Sequence, residues 1–190
     1  KFAESFGDFG SIWEGLVVRS ELSDLTYTTI AGEVTITDCD DTTTGELVLP
    51  ETIEGNPVTS IGDRAFSNCT SLINVTIPGG VTSIGEGAFA YCTSLTSITI
   101  PDSVKSIGDY GFLDCSSLTS ITIPDSVASI GDAAFSGCVA LRSIEVGPGN
   151  VNYTEVNGVL FNKEISLLHT YTAAKTSASY VIPDSISSIV

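Results

Sequence analysis

One histidine, five cysteines and recurring columns of acid are the residues whose chemistry could go beyond packing in this 190-residue chain. His169 would have to serve any Ser–His or Cys–His pair, because nucleophilic catalysis needs a base beside the nucleophile. It lies in Leu167-Leu168-His169-Thr170-Tyr171, an apparent hairpin strand, with no cysteine or G-x-S-x-G turn nearby, and reads as a strand or surface histidine. Cys69, Cys92, Cys115 and Cys138 stand singly, 23 residues apart, without the C-x-x-C pair of a zinc site. There are 18 glycines, yet none builds a phosphate loop ahead of a long helix. The expectation is a protein that is not an enzyme and needs no cofactor.

An internal repeat spaces these residues. From Val58 the chain falls into four units of 23, in which Phe66, Phe89, Phe112 and Phe135 keep step with the cysteines and with Leu72, Leu95, Leu118 and Leu141. In each unit a stretch such as Leu95-x-x-Ile98-x-Ile100 sends alternate side chains of a short strand inward. Pro101 then ends the strand, because proline has no N–H for a ladder. Val81-x-x-Ile84 begins the return side, Gly85 permits a turn, and residues 86–91 suit a short helical or 3₁₀ turn with Ala88, Phe89 and Cys92 inside. Burying a large apolar side chain gains about 1.5–3 kcal/mol, so a coil gains by stacking and has little to gain alone. The coils must therefore form a solenoid.

The unit L-T-S-I-T-I-P-D-S-V-x-S-I-G-x-x-A-F-x-x-C resembles the BspA-type leucine-rich repeat, and the resemblance covers residues 45–189. Upstream, Leu25-Thr26-Tyr27, Gly32, Val34-Thr35-Ile36 and then Gly45 to Pro50 are similar to that family's N-terminal lead-in. Downstream, residues 152–163 resemble the hairpin module such proteins insert between coils, and Asn157-Gly158 is itself a hairpin signal. The resemblance implies a right-handed leucine-rich repeat solenoid, mostly β, with an N-terminal cap and an inserted β-hairpin. It also implies a mostly bacterial, extracellular family associated with attachment to host proteins or other cells. The expected division is a cap or docking segment (1–24), a leading hairpin and acidic loop (25–45), coils (46–149), the hairpin insertion (150–181) and the start of a further repeat (182–190).

Composition bounds the partners. With 7 basic and 23 acidic residues the net charge is −16, which opposes nucleic-acid binding and anchorage on anionic lipid. No run of 18 apolar residues predicts membrane insertion. Only 16% of residues are charged and 42% are hydrophobic, unlike a disordered acidic tail. The acids recur in columns. Asp63, Glu86, Asp109 and Asp132 follow the turn glycines, while Asp102, Asp125 and Asp184 follow the strand-ending prolines. Capping a short helical turn explains them best; Ca²⁺ bridging is the alternative, with the loop residues Asp38, Asp40 and Asp41 as a weak second Ca²⁺ candidate.

Equivalent Cα atoms of stacked coils lie about 4.8 Å apart, within disulfide range. Ladder side chains point in parallel, however, so buried free thiols are favoured. Cys39, outside the column in Asp38-Cys39-Asp40-Asp41, is expected to be exposed, as a lone thiol or an intermolecular link. About a quarter of the chain is Ser or Thr. Thr76, Thr99 and Thr122 alternate with buried Ile and point outward, Thr96 and Thr119 extend that face, and Arg142 and Glu145 end it. This flat polar face is the expected partner-binding surface. Asn68, Asn74 and Asn152 begin formal glycosylation sequons.

Phe2, Phe6, Phe9 and Trp13 are spaced as the stripe of an amphipathic helix, suiting a cap or a docking element. Ile186 and Ile189 fall in the columns of Val127 and Ile130, as though a coil begins as the sequence stops. Three expectations compete: a longer array, a hairpin folded over the edge, or a second copy adding head to tail through the aromatic stripe and Ile182, Ile186 and Ile189. With no methionine and no leader at Lys1, the sequence reads as a mature form or a fragment, secreted or cell-surface, its signal peptide already removed. The function expected is adhesion or protein–protein interaction. A self-assembling filament or surface-layer subunit is the alternative.

Overall fold

The computed structural model describes residues 18–19, 24–171 and 182–189. The stripe of Phe2, Phe6, Phe9 and Trp13 lies outside the described residues. Strand β1 (Val18–Arg19) precedes a hairpin of β2 (Leu25–Ile30) and β3 (Glu33–Cys39). Then come β4 (Gly45–Val48), β5 (Thr52–Ile53) and β6 (Asn56–Ile61). In the repeats β7 (Leu72–Thr76), β8 (Ser83–Ile84), β9 (Ser97–Thr99), β10 (Ser106–Ile107), β11 (Ser120–Ile123), β12 (Ser129–Ile130) and β13 (Ser143–Val146) alternate between two faces. An antiparallel meander of β14 (Tyr153–Val156), β15 (Val159–Asn162) and β16 (Leu167–Tyr171) follows, and β17 (Ser188–Ile189) pairs parallel to β16.

The molecule is a mostly-β leucine-rich repeat solenoid. On one side β6, β8, β10 and β12 stack in parallel with Ile61, Ile84, Ile107 and Ile130 in register, a shift of 23 residues per coil. On the other, β4, β7 and β9 form one parallel ladder, and β11 and β13 a second. Inside, Phe66, Phe89, Phe112 and Phe135 form a continuous ring stack with centroids 4.9, 5.4 and 5.5 Å apart and planes within 7°. Aromatic faces prefer to stack with an offset at such distances, which adds to the area they bury.

The segments after the turn glycines differ from the expected short helical turns. Ser67 N–H bonds Arg64 O (2.9 Å) and Cys69 N–H bonds Phe66 O (3.2 Å), but the amides of Arg64, Phe66 and Asn68 donate to Glu86, Ala88 and Ala90 of the next coil. A helix directs every N–H along its own axis. Here half of them serve the next coil, and the chain accommodates this with positive φ at Arg64 and Asn68. The acids likewise do not cap a helix. Asp63 and Asp109 instead accept the backbone N–H of Glu86 and Asp132, one coil on, at 2.8 and 2.9 Å.

The meander joins the last coil through two polar side chains. Asn150 takes the place held by Val127 one coil earlier, and is buried. Its amide donates to Pro124 O and Val127 O (2.7 and 3.1 Å), while its carbonyl accepts the N–H of Asn152 and Tyr153. Every polar atom is used, as a buried amide requires. The Tyr153 hydroxyl accepts the N–H of Ile130 at 2.7 Å. The tight turn between β14 and β15 is Asn157-Gly158, both with positive φ.

Candidate functional site: the outward strand face

Along the strand ladders Val75, Ile98 and Ile121 are buried while Thr76, Thr99 and Thr122 are exposed, as period-two alternation requires. Thr76 pairs in register with Thr99, and Thr122 with Glu145. Among the described residues the hydroxyls of Thr76, Thr99 and Thr122 make no hydrogen bond, whereas those of Thr96 and Thr119 donate to Ile73 O and Thr96 O one coil back (3.1 and 3.2 Å). Thr96 and Thr119 therefore fasten coils together, and Arg142 N–H continues their column by donating to Thr119 O. Alternation could not reveal that β9 and β11 belong to separate ladders, joined by Thr119 N–H to Thr96 O at 3.1 Å. A cleft of about 420 Å³ lies at that boundary, lined by Ile98, Thr99, Ile100, Thr122, Pro124 and Pro148, with Asp102 and Asp125 on it. Asp125 is held in place by Gly149 N–H at 2.9 Å.

The other sequence candidates fall elsewhere. Cys39 is not an exposed thiol. It is 2% exposed, because the last residue of β3 turns inward to the foot of the cysteine column, and Cys69 Sγ donates to its carbonyl at 3.9 Å. All five thiols are free and buried. Cys92, Cys115 and Cys138 each donate to the carbonyl of the phenylalanine one coil back, Phe66, Phe89 and Phe112, at 3.0–3.1 Å. Burial pushes the Cys92 thiol up to about 12 from its ordinary 9.0, so at neutral pH it is neither a nucleophile nor a metal ligand.

This shift makes stability depend on alkali. Below pH 9 the thiol is protonated in both states and its contribution is complete. Between 9 and about 12 only the unfolded chain ionises, so stability falls by about 1.4 kcal/mol per pH unit for such a group. Urea midpoints are expected to drop steeply above pH 9, and less steeply in Cys92→Ala; identical slopes would contradict this account.

His169 packs edge-on against Tyr153, with centroids 5.3 Å apart, and burial lowers its pKa. Asp40 accepts the N–H and hydroxyl of Thr42 (2.8 and 2.6 Å), which hold its carboxyl below the usual range, and Asp38 and Asp41 are exposed beside it. No group of three or more His, Cys, Asp or Glu that could hold a metal occurs among the described residues. Nor does a helix among them have the length and apolarity to cross a membrane. Ile182 and Ile189 are 46% and 60% exposed, while Ile186 is half-buried against Val159, Phe161 and Leu168. Of the sequon asparagines, Asn68 is exposed on a turn, whereas Asn74 and Asn152 are half-buried.

The repeat's profile decides the relationship: the BspA type Leucine rich repeat region matches residues 46–168 in 6 copies. The chain belongs to this family. Curated proteins offer no match. Among solved structures, a leucine-rich repeat protein from Eubacterium ventriosum is 30% identical (TM-score 0.62) over 88% of this chain and 54% of its own. One from Bacteroides capillosus is 32% identical (TM-score 0.58) over 66% of this chain and 96% of its own. A leucine rich cell surface protein from Faecalibacterium prausnitzii is 24% identical (TM-score 0.57) over 86% and 64%, a likeness of fold. The chain thus spans about half of the Eubacterium protein. In this chain the ring stack and the thiol column recur with the 23-residue repeat and form its structural spine.

Proposed function

We propose that this BspA-type chain is a non-enzymatic adhesion and protein-binding module, secreted or held at a cell surface, that receives its partner on the outward strand face. The observation that carries this reading is the row of Thr76, Thr99 and Thr122, exposed and in parallel strands, with hydroxyls unused by the fold. The cleft beside Thr99 and Thr122 adds an apolar floor and two carboxylates to that row. The surface or extracellular location rests on family membership.

Beads coated with the protein give the test. Thr99→Lys with Thr122→Lys places two cations on the row without touching the core. Adhesion of the beads to cultured epithelial cells is expected to fall at least tenfold, with an unchanged urea midpoint. Equal adhesion by both proteins overturns the assignment of the face. The second reading, a head-to-tail assembly, draws on the exposure of Ile182 and Ile189. Sedimentation of the same samples separates it, since a monodisperse monomer at every concentration excludes self-assembly.

A further inference from the structure

The acids that follow the strand-ending prolines occupy only two successive coils. At this position the four coils carry Gly79, Asp102, Asp125 and Pro148 in turn. The two carboxylates therefore stand one coil apart, roughly 5 Å in a stack of strands, and both residues are exposed. Asp125 accepts Gly149 N–H through Oδ1 at 2.9 Å. A Cβ on Gly147 or Gly149 would lie 2.0 or 2.5 Å from its carboxylate oxygens, so the fourth coil closes directly onto that side chain and fixes it. The carboxylate of Asp102 meets no donor among the described residues, and the one ion pair among them is Arg64 with Glu86. No cation of the described chain answers either acid.

The pair lines the cleft of about 420 Å³ beside Thr99 and Thr122, together with Ile98, Ile100, Pro124 and Pro148. Pro148 stands where the column would place a third acid, so an apolar wall closes the acidic end. A ligand suited to this cleft has an apolar stem and a cationic head whose donors reach two carboxylates. Calcium takes about 6–8 oxygens, and no group of three His, Cys, Asp or Glu that could hold a metal occurs among the described residues. An ammonium is a compact, strongly hydrated point charge. A guanidinium is weakly hydrated and spreads its N–H donors in a planar fork that can serve two acceptors. Its methylene stem lies along apolar surface while the head stays with polar groups.

We propose that the Asp102–Asp125 cleft is an arginine pocket of the strand face. A guanidinium of the protein partner spans the two carboxylates, and its stem lies against Ile98, Ile100 and the prolines. The pocket's role rests on the reading of the threonine row as the docking face, and it names the chemistry the partner must present there.

The test titrates the whole chain, isotopically labelled, with N-acetylarginine methylamide and with the same capped forms of lysine and citrulline. Capped arginine is expected to shift the methyl signals of Ile98 and Ile100 and the amide signal of Gly149 saturably in the millimolar range. Capped lysine is expected to bind at least threefold more weakly, and citrulline, equal in shape but uncharged, at least tenfold more weakly. Asp102→Asn and Asp125→Asn keep the side-chain shape, and the second keeps an oxygen for Gly149 N–H. Each is expected to weaken capped arginine at least fivefold with an unchanged urea midpoint. Glu33→Gln, which removes an exposed acid of the leading hairpin, is expected to change nothing. Beads carrying both Asn substitutions are expected to adhere at least fivefold less to the epithelial cells. Equal binding of arginine and citrulline, full binding by the Asn variants or unchanged adhesion of their beads overturns the proposal. Loss of adhesion in the threonine variant without selective arginine binding overturns the pocket and leaves the face. Selective arginine binding with normal adhesion of the threonine variant overturns the face and, with it, the partner's use of the pocket.

Discussion

Phe89→Ala is expected to lower the unfolding free energy by about 3–5 kcal/mol, the range for emptying a buried aromatic site. Phe89 is fully buried and stacked on both faces, at 4.9 Å from Phe66 and 5.4 Å from Phe112. Its loss empties one level of the ring stack, and the backbone cannot close over the gap. The spacing of coils is fixed independently by the ladders on three sides, including Phe66 N–H to Ala88 O and Phe89 N–H to Gly111 O. Phe135→Ala, which loses a ring stacked on one side among the described residues, is expected to cost less. Urea titration of both variants checks the account, and an equal or greater loss at Phe135 would show that stacking is not what the column contributes.

Gly108→Ala is expected to be nearly as damaging, by the opposite mechanism. A Cβ there would lie 2.6 Å from Glu86 N and from Gly85 C, and 2.8 Å from Gly85 O. All three are backbone atoms of the preceding coil, so no side chain can swing aside and the coils themselves must part. Overpacking usually costs about 1–3 kcal/mol, and this site belongs at the upper end because separation also stretches Gly108 N–H to Ile84 O, now 2.8 Å. Gly79 is the control. Its added Cβ meets nothing within 4 Å, so Gly79→Ala is expected to change stability by less than about 0.5 kcal/mol. If the two glycine variants unfold at the same urea concentration, close approach is not why glycine stands at position 108.

Much of the solenoid was legible because its signals are local and repeated. A Phe, a Cys and a Leu returning every 23 residues can share an interior only if successive coils superpose, and the structure places all twelve in the core. The outward threonines followed from the two-residue period of a strand. Less was legible where partners come from another coil. Residues 86–91 have the length of a helical turn, but their amides are claimed by carbonyls 22 residues away, a competition invisible within one repeat. The acids after the turn glycines looked like helix caps for the same reason. Cys39, flanked by three aspartates, looked exposed; only the pairing of β3 with β6 turns its side chain under the column.

By itself, then, the sequence determined the repeat, the contents of the core and the outward row of Thr76, Thr99 and Thr122, since each follows from a period of 2 or 23. Tertiary structure alone decided which hydrogen-bonding groups remain unspent. The cleft beside Thr99 and Thr122 lies where β9 and β11 belong to separate ladders. Among the described residues the amides of Ala133, Phe135 and Gly137 have no acceptor, whereas the same three amides of each earlier row are met by the following coil. Repetition fixes what each coil offers; whether the offer is met depends on what lies next to it in space.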